Sequence, residues 1–130
     1  MNEKILITGG AGYIGSILTR TLLNQGYAIT VLDSLLFNQS SLLDCCSEAN
    51  FDFVQGDICD FDLVRKLLSE SDIVIPLAAI VGAPACKRNP SLTKLVNYDA
   101  HINIVKTLSK DQKEKILQIL NNTSKFEKVG

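Results

Sequence analysis

The sequence predicts an α/β fold: a doubly wound parallel sheet with strand order 3-2-1-4. Three observations predict it. The runs Ile5-Leu6-Ile7 and Ala28-Ile29-Thr30-Val31-Leu32 are solid rather than alternating, which suits strands buried on both faces of a parallel sheet. Segments with apolar residues at helical spacing lie between such runs. The first run breaks into glycines before helical spacing begins. Right-handed crossovers follow from that alternation, and a ligand is expected at the switch point between strands 1 and 4.

The first strand is expected over about Lys4 to Thr8 and the first helix over about Gly12 to Asn24, with Ile14, Ile17, Leu18 and Leu22 inward and Gly26 as stop signal. Strand 2 spans about Ala28 to Asp33. The stretch from Ser34 to Asn50 is less regular: Asn38 to Ser41 reads as a loop and helix cap, and Leu42, Leu43, Cys45 and Cys46 as a short helical face. Phe51 to Gln55 is a third strand, ending at Gly56-Asp57. Asp60 caps a short helix whose inner face is Leu63, Val64, Leu67 and Leu68. Asp72 to Leu77 is strand 4; Pro76 cannot donate to a ladder and belongs near its end. A loop over Val81 to Asn89 precedes a long helix from about Pro90 to Lys110, with Leu92, Leu95, Val96, Ile102, Val105 and Leu108 inward. Pro90 suits a helix start. Asp111 to Lys115 is charged, Ile116, Leu117, Ile119 and Leu120 suggest another amphipathic stretch, and Lys125 to Gly130 resembles the approach to a fifth strand.

Within Thr8-Gly9-Gly10-Ala11-Gly12-Tyr13-Ile14-Gly15, Gly9, Gly12 and Gly15 sit three apart between a predicted strand and a predicted helix. Unpaired N–H groups and a partial positive charge at a helix N-terminus suit a pyrophosphate. Gly9 is expected to make the turn, Gly12 to let the backbone approach a phosphate, and Gly15 to let helix and strand pack closely. Asp33 ends the next apolar run 18 residues past Gly15. A ribose-binding acid is expected about 20 residues on. A plain glycine turn and an exposed strand-end acid are the alternatives.

This stretch resembles the TGxxGxxG fingerprint of the extended short-chain dehydrogenase/reductase family, which includes NAD-dependent nucleotide-sugar epimerases and dehydratases. Gly56-Asp57, Leu77-Ala78-Ala79 and Val96-Asn97-Tyr98-Asp99-Ala100 agree with it, so the resemblance covers roughly residues 3 to 108. It implies a Rossmann-like fold. It also implies an NAD site drawn from Gly9, Gly12, Tyr13, Ile14, Gly15, Asp33, Ser34, Asp57, Ile58, Leu77, Ala78, Ala79 and Asn97. Asp33 would accept from both ribose hydroxyls and repel a 2′-phosphate, favouring NAD over NADP. By resemblance Asp57 meets the adenine amino group, Ile58 packs on the ring, residues 77–79 line the cofactor, and Asn97 lies beneath the catalytic pocket. The residues alone also allow a turn at Asp57, core packing at 77–79 and a solvated helix position at Asn97.

The family's chemistry uses a YxxxK pair. Here Tyr13, Tyr27 and Tyr98 are followed four residues later by Ile17, Val31 and Ile102, so no such pair exists in these 130 residues. The chain therefore reads as the first half of an enzyme, truncated before or at strand 5, with residues 1–110 as the NAD-binding part and 111–130 as a polar C-terminal segment. An enzyme lineage, a catalytically inactive NAD-binding module and a non-functional remnant remain open. An uncovered strand 4 edge predicts self-association or marginal stability.

With 46% hydrophobic and 21% charged residues and a net charge of −1, composition is that of an ordinary globular domain and indicates neither nucleic acid nor an acidic membrane as partner. Without a secretory signal pattern or a long apolar run, a cytoplasmic protein is expected. Cys45, Cys46, Cys59 and Cys86 match neither a CxxC motif nor a disulfide scaffold and read as reduced thiols. Lys87 and Arg88 suit a phosphate or plain solvation, and His101 a helix surface or packing position.

Overall fold

The structure, a computed structural model, describes residues 3–35, 40–80 and 82–115. Its centre is a four-stranded parallel sheet in the order β3-β2-β1-β4, as expected. The strands are β1 (Lys4–Thr8), β2 (Ala28–Asp33), β3 (Phe51–Gln55) and β4 (Ile73–Pro76). Ile5 stands beside Ile29 on one side and Ile73 on the other. Pro76 closes β4 opposite Thr8, where its missing N–H removes no interior ladder bond.

Successive strand residues point to opposite faces, so the solid apolar runs feed two cores. Leu6, Leu32 and Val74 pack with Val64 and Leu68 of α2 (Phe61–Ser69) and with Ala100 and Ile104. Ile5, Ile7, Ile29, Val31 and Ile73 pack on the other face with Leu42 and Cys45, which belong to a short 3₁₀ segment around Leu43–Cys45. As expected, Asp60 caps α2, its side chain accepting from the Leu63 N–H at 3.2 Å.

Helix α1 (Tyr13–Asn24) matches the expected inward face only in part: Leu22 packs against the core and Leu18 is half-buried, but the first turns face inward through other residues. Its buried residues are Gly15, Ser16 and Thr19, while Ile14 and Ile17 are 67% and 54% exposed. The helix starts so close to the glycine turn that only small residues fit beneath it. A Cβ on Gly15 would fall 2.6 Å from Gly10 Cα and from Gly9 O.

Two further segments differ from expectation. The predicted loop over residues 81–89 contains helix α3 (Ala83–Arg88); Val81 lies outside the described residues. The long helix begins at Pro90 as expected but is built as α4 (Pro90–Lys94), a π-turn (Leu95–Asp99) and α5 (Ala100–Thr107). The Ala100 N–H bonds back to Leu95 O, five residues away, so one extra residue enters the turn. That extra residue rotates the inward face. Ala100, Ile104 and Leu108 are buried, Val105 is 55% exposed, and Leu92 is 39% exposed.

Residues 110–115 are helical again. Ser109 and Gln112 form a reciprocal cap: the Ser109 N–H donates to Gln112 Oε1 at 2.9 Å, and the Gln112 N–H donates to Ser109 Oγ at 3.2 Å. The buried Gln112 amide also donates to Leu68 O and Ser71 O, tying this segment to the end of α2. The expected loop over 38–39, the amphipathic stretch over 116–120 and the approach to a fifth strand over 125–130 lie outside the described residues.

Candidate functional site

The site is assembled at the C-terminal ends of β1, β2 and β4. Gly9 leaves β1 with φ +73°, and its N–H donates to Leu32 O at 2.8 Å. A Cβ there would sit 2.7 Å from Ala78 N, so both backbone conformation and space require glycine. Gly10 faces the Val31 side chain, where a Cβ would come within 2.7 Å.

Gly12 differs from both. It precedes α1 with an ordinary extended backbone, φ −73° and ψ −178°. A Cβ there would meet only Gly9 O, at 3.3 Å. Internal packing makes a small demand on this glycine, and the space above it is open. No side chain caps α1 and its first turn carries no acidic residue. The first N–H groups of a helix lack intrahelical acceptors. Tyr13 and Ile14, 85% and 67% exposed, leave this end of the helix uncovered. Such an N-terminus, without a side-chain cap or an acidic residue in its own first turn, is chemically suited to an anion.

Asp33 closes one side of the turn. Its Oδ2 accepts from the Ala11 N–H at 3.0 Å and its Oδ1 from the Leu35 N–H at 2.9 Å. Leu35 adopts φ +55°, unusual for a branched residue, and the carboxylate bond to its N–H helps hold it there. Ser34, between them, is exposed.

On the other side, the Leu77 N–H donates to Thr8 O at 2.9 Å, extending the β1–β4 pairing past Pro76. Ala78 lies half-buried against Gly9, and Ala79 is exposed. Asn97 reaches across from the π-turn and grips Ile80: its Oδ1 accepts from the Ile80 N–H and its Nδ2 donates to Ile80 O, both at 2.8 Å. Asp57 sits at the end of β3, exposed, accepting from the Cys59 N–H at 2.8 Å. Ile58 is buried, packed in the core with Leu6 and Leu32. Burial first, then the charge and hydrogen bonding of Asp57, push the Cys59 thiol up to about 11.

The profile of the NAD dependent epimerase/dehydratase family matches residues 5–122. The chain belongs to that family. A UDP-N-acetyl-alpha-D-glucosaminuronate decarboxylase of Bacillus cytotoxicus is 30% identical over 116 residues, covering 89% of this chain and 36% of that protein. A dTDP-glucose 4,6-dehydratase of Streptomyces niveus is 40% identical over 84 residues, covering 58% of this chain and 25% of the relative. Among solved structures, the Bordetella bronchiseptica enzyme WbmG in complex with NAD superposes with a TM-score of 0.71 at 28% identity, over 82% of this chain and 34% of that one. The chain thus spans about a third, or less, of the length of these relatives.

In this epimerase/dehydratase-family chain the fold brings Gly9, Gly12, Tyr13, Ile14, Gly15, Asp33, Ser34 and residues 77–79 around one turn. Asp57 and Ile58 stand at the end of β3, two strands from β1. Asn97 is on the π-turn, with Ile80 as its partner. Lys87 and Arg88 are exposed on α3.

His101, expected on a helix surface or in packing, has a further part: its Nε2 lies 3.0 Å from Ala78 O and must carry the hydrogen in that contact. Spacing was the only available signal for this, since His101 follows Asn97 by four residues, one helical turn. Ser41, expected within a loop and helix cap, does not cap the short 3₁₀ segment, whose N-cap is Leu42; it joins the glycine turn at Ala11 instead. Ser41 Oγ donates to Ala11 O at 2.7 Å. No helix among the described residues is long and apolar enough to cross a membrane.

Proposed function

We propose that this chain is the NAD-holding part of an epimerase/dehydratase-family enzyme whose full-length relatives act on nucleotide sugars. The observation that carries the reading is the Asp33 carboxylate beside the bare N-terminus of α1, joined to it through the Ala11 N–H at 3.0 Å. Asp33 would take the adenosine ribose hydroxyls, and the Gly12 to Gly15 backbone would take the pyrophosphate. A carboxylate in that place disfavours a 2′-phosphate, so NAD is preferred over NADP. Residues 77–79, the Asp57–Ile58 turn and Ser34 would frame the rest of the cofactor. Asn97 would act on residues 77–79 through Ile80.

Bound NAD would supply a hydride acceptor and donor. The chain's own residues would bind and orient it; the YxxxK pair for proton transfer is not in this sequence. We assign residues 1–110 to the cofactor-holding part and place the protein in the cytoplasm. Only β1 pairs with β4 among the described residues. An open edge of this kind pairs with other chains, and we propose self-association there.

Calorimetric titration with NAD and NADP tests the cofactor reading. NAD should bind saturably, NADP more weakly, and Asp33→Ala should weaken NAD. A folded chain that ignores NAD would overturn it. Sedimentation across a concentration series tests the edge; a monomer at every concentration would count against self-association.

A further inference from the structure

Ala11 is held at both of its backbone polar groups. Its N–H donates to Asp33, and its carbonyl accepts from the Ser41 hydroxyl at 2.7 Å. That carbonyl belongs to the peptide joining Ala11 to Gly12. The N–H of the same peptide donates to Gly9 O at 3.2 Å, so the peptide is held on both sides, and with it the entry into α1.

Ser41 is in turn held by α1. Arg20 reaches from the helix to donate to Ser41 O, and grips Asp44 with two bonds, Nε to Oδ2 at 3.0 Å and Nη2 to Oδ1 at 2.7 Å. Two parallel guanidinium–carboxylate bonds have a defined orientation, unlike a lysine contact. This pairing holds the Arg20 guanidinium above its ordinary pKa and the Asp44 carboxyl below its own. Leu42 and Cys45, buried against the sheet, anchor the same segment from below.

We infer that Ser41 is a positioning residue for the glycine turn, braced by Arg20 and Asp44, and that its hydroxyl presets the turn entering α1 for a diphosphate. The inference rests on the proposed cofactor site. Ser41 need not touch the ligand. It acts by preorganisation, removing an ordering cost that the ligand would otherwise bear on binding.

The test compares the full 130-residue chain with Ser41→Ala and Ser41→Thr, reading NAD affinity, melting temperature and amide hydrogen exchange. Losing one such bond should weaken NAD about fivefold in Ser41→Ala. The Ala11 and Gly12 amides should exchange faster with β1 protection nearly unchanged, and the melting temperature should fall by no more than the loss of one hydrogen bond allows. Ser41→Thr, which keeps the hydroxyl, should restore both affinity and protection. Unchanged NAD affinity in Ser41→Ala overturns the inference and leaves the cofactor site standing. So does a loss of affinity accompanied by a fall in amide protection throughout the sheet, β1 included. A folded parent chain that does not bind NAD overturns both.

Discussion

Asn97 spends both ends of its carboxamide on a single residue, Ile80, accepting from its N–H and donating to its carbonyl at 2.8 Å each. Asn97 lies within the π-turn. The turn widens the helix where Asn97 sits, one residue out of phase with the helix that follows. The chain after β4 is thereby held beside Gly9.

Asn97→Ala should cost about 1 kcal/mol in urea unfolding, the net worth of modest, partly solvated hydrogen bonds. Asn97→Asp should cost more, because a carboxylate keeps the bond to the Ile80 N–H but sets a second acceptor against the Ile80 carbonyl. Equal stability of Asn97→Asp and the parent would show that Ile80 is held by other contacts.

The glycines should separate by role. Gly9→Ala forces a side chain into φ +73° and onto Ala78 N at 2.7 Å, so it should lose at least about 2 kcal/mol of stability. Gly12→Ala meets one atom at 3.3 Å on an ordinary backbone. Its melting temperature should fall only slightly while NAD binding falls by about tenfold or more, the loss of a close backbone approach to phosphate. Thermal melts beside calorimetry check the split.

Gln112 should matter more than a charged-looking segment suggests. Gln112→Ala removes the cap partner of Ser109 and leaves Leu68 O and Ser71 O without its donor. A loss of about 1–3 kcal/mol is expected in denaturant unfolding. Lys113→Ala, on an exposed neighbouring position, should change stability by less than about 0.5 kcal/mol.

Cys59 offers a pH readout. Its thiol, pushed up to about 11 by burial and then by Asp57, should react with a thiolate-selective reagent at a midpoint near that pH, above that of an ordinary cysteine. Asp57→Asn should lower the midpoint. A folded-state value above the unfolded one means the folded chain holds its proton longer. The associated stability is present below the ordinary thiol value and is lost as pH rises through about 11. Identical reaction profiles for the folded chain and the urea-unfolded chain would refute the shift.

Much of this molecule was legible in its sequence. Solid apolar runs marked the strands because a parallel sheet is buried on both faces, and the alternation of strands with helices led to the order 3-2-1-4. The glycine turn and Asp33 were legible because glycine spacing and strand length are local properties, and both lie at the ends of neighbouring strands. Membership of the epimerase/dehydratase family followed from the same residues.

Only the tertiary structure decided which faces are inward. Apolar spacing marked Ile14 and Ile17 as core, yet the close approach of α1 to its strand admits Gly15, Ser16 and Thr19 instead. Spacing likewise missed the phase shift at the π-turn, since one inserted residue rotates every later side chain about the helix. The partners of Ser41, His101 and Gln112 lie 30, 23 and 44 residues away in the chain, on Ala11, Ala78 and Leu68. Periodicity reports a residue's own helix or strand. A hydrogen bond between distant segments depends on where folding has put them, and that is set by packing across the whole sheet.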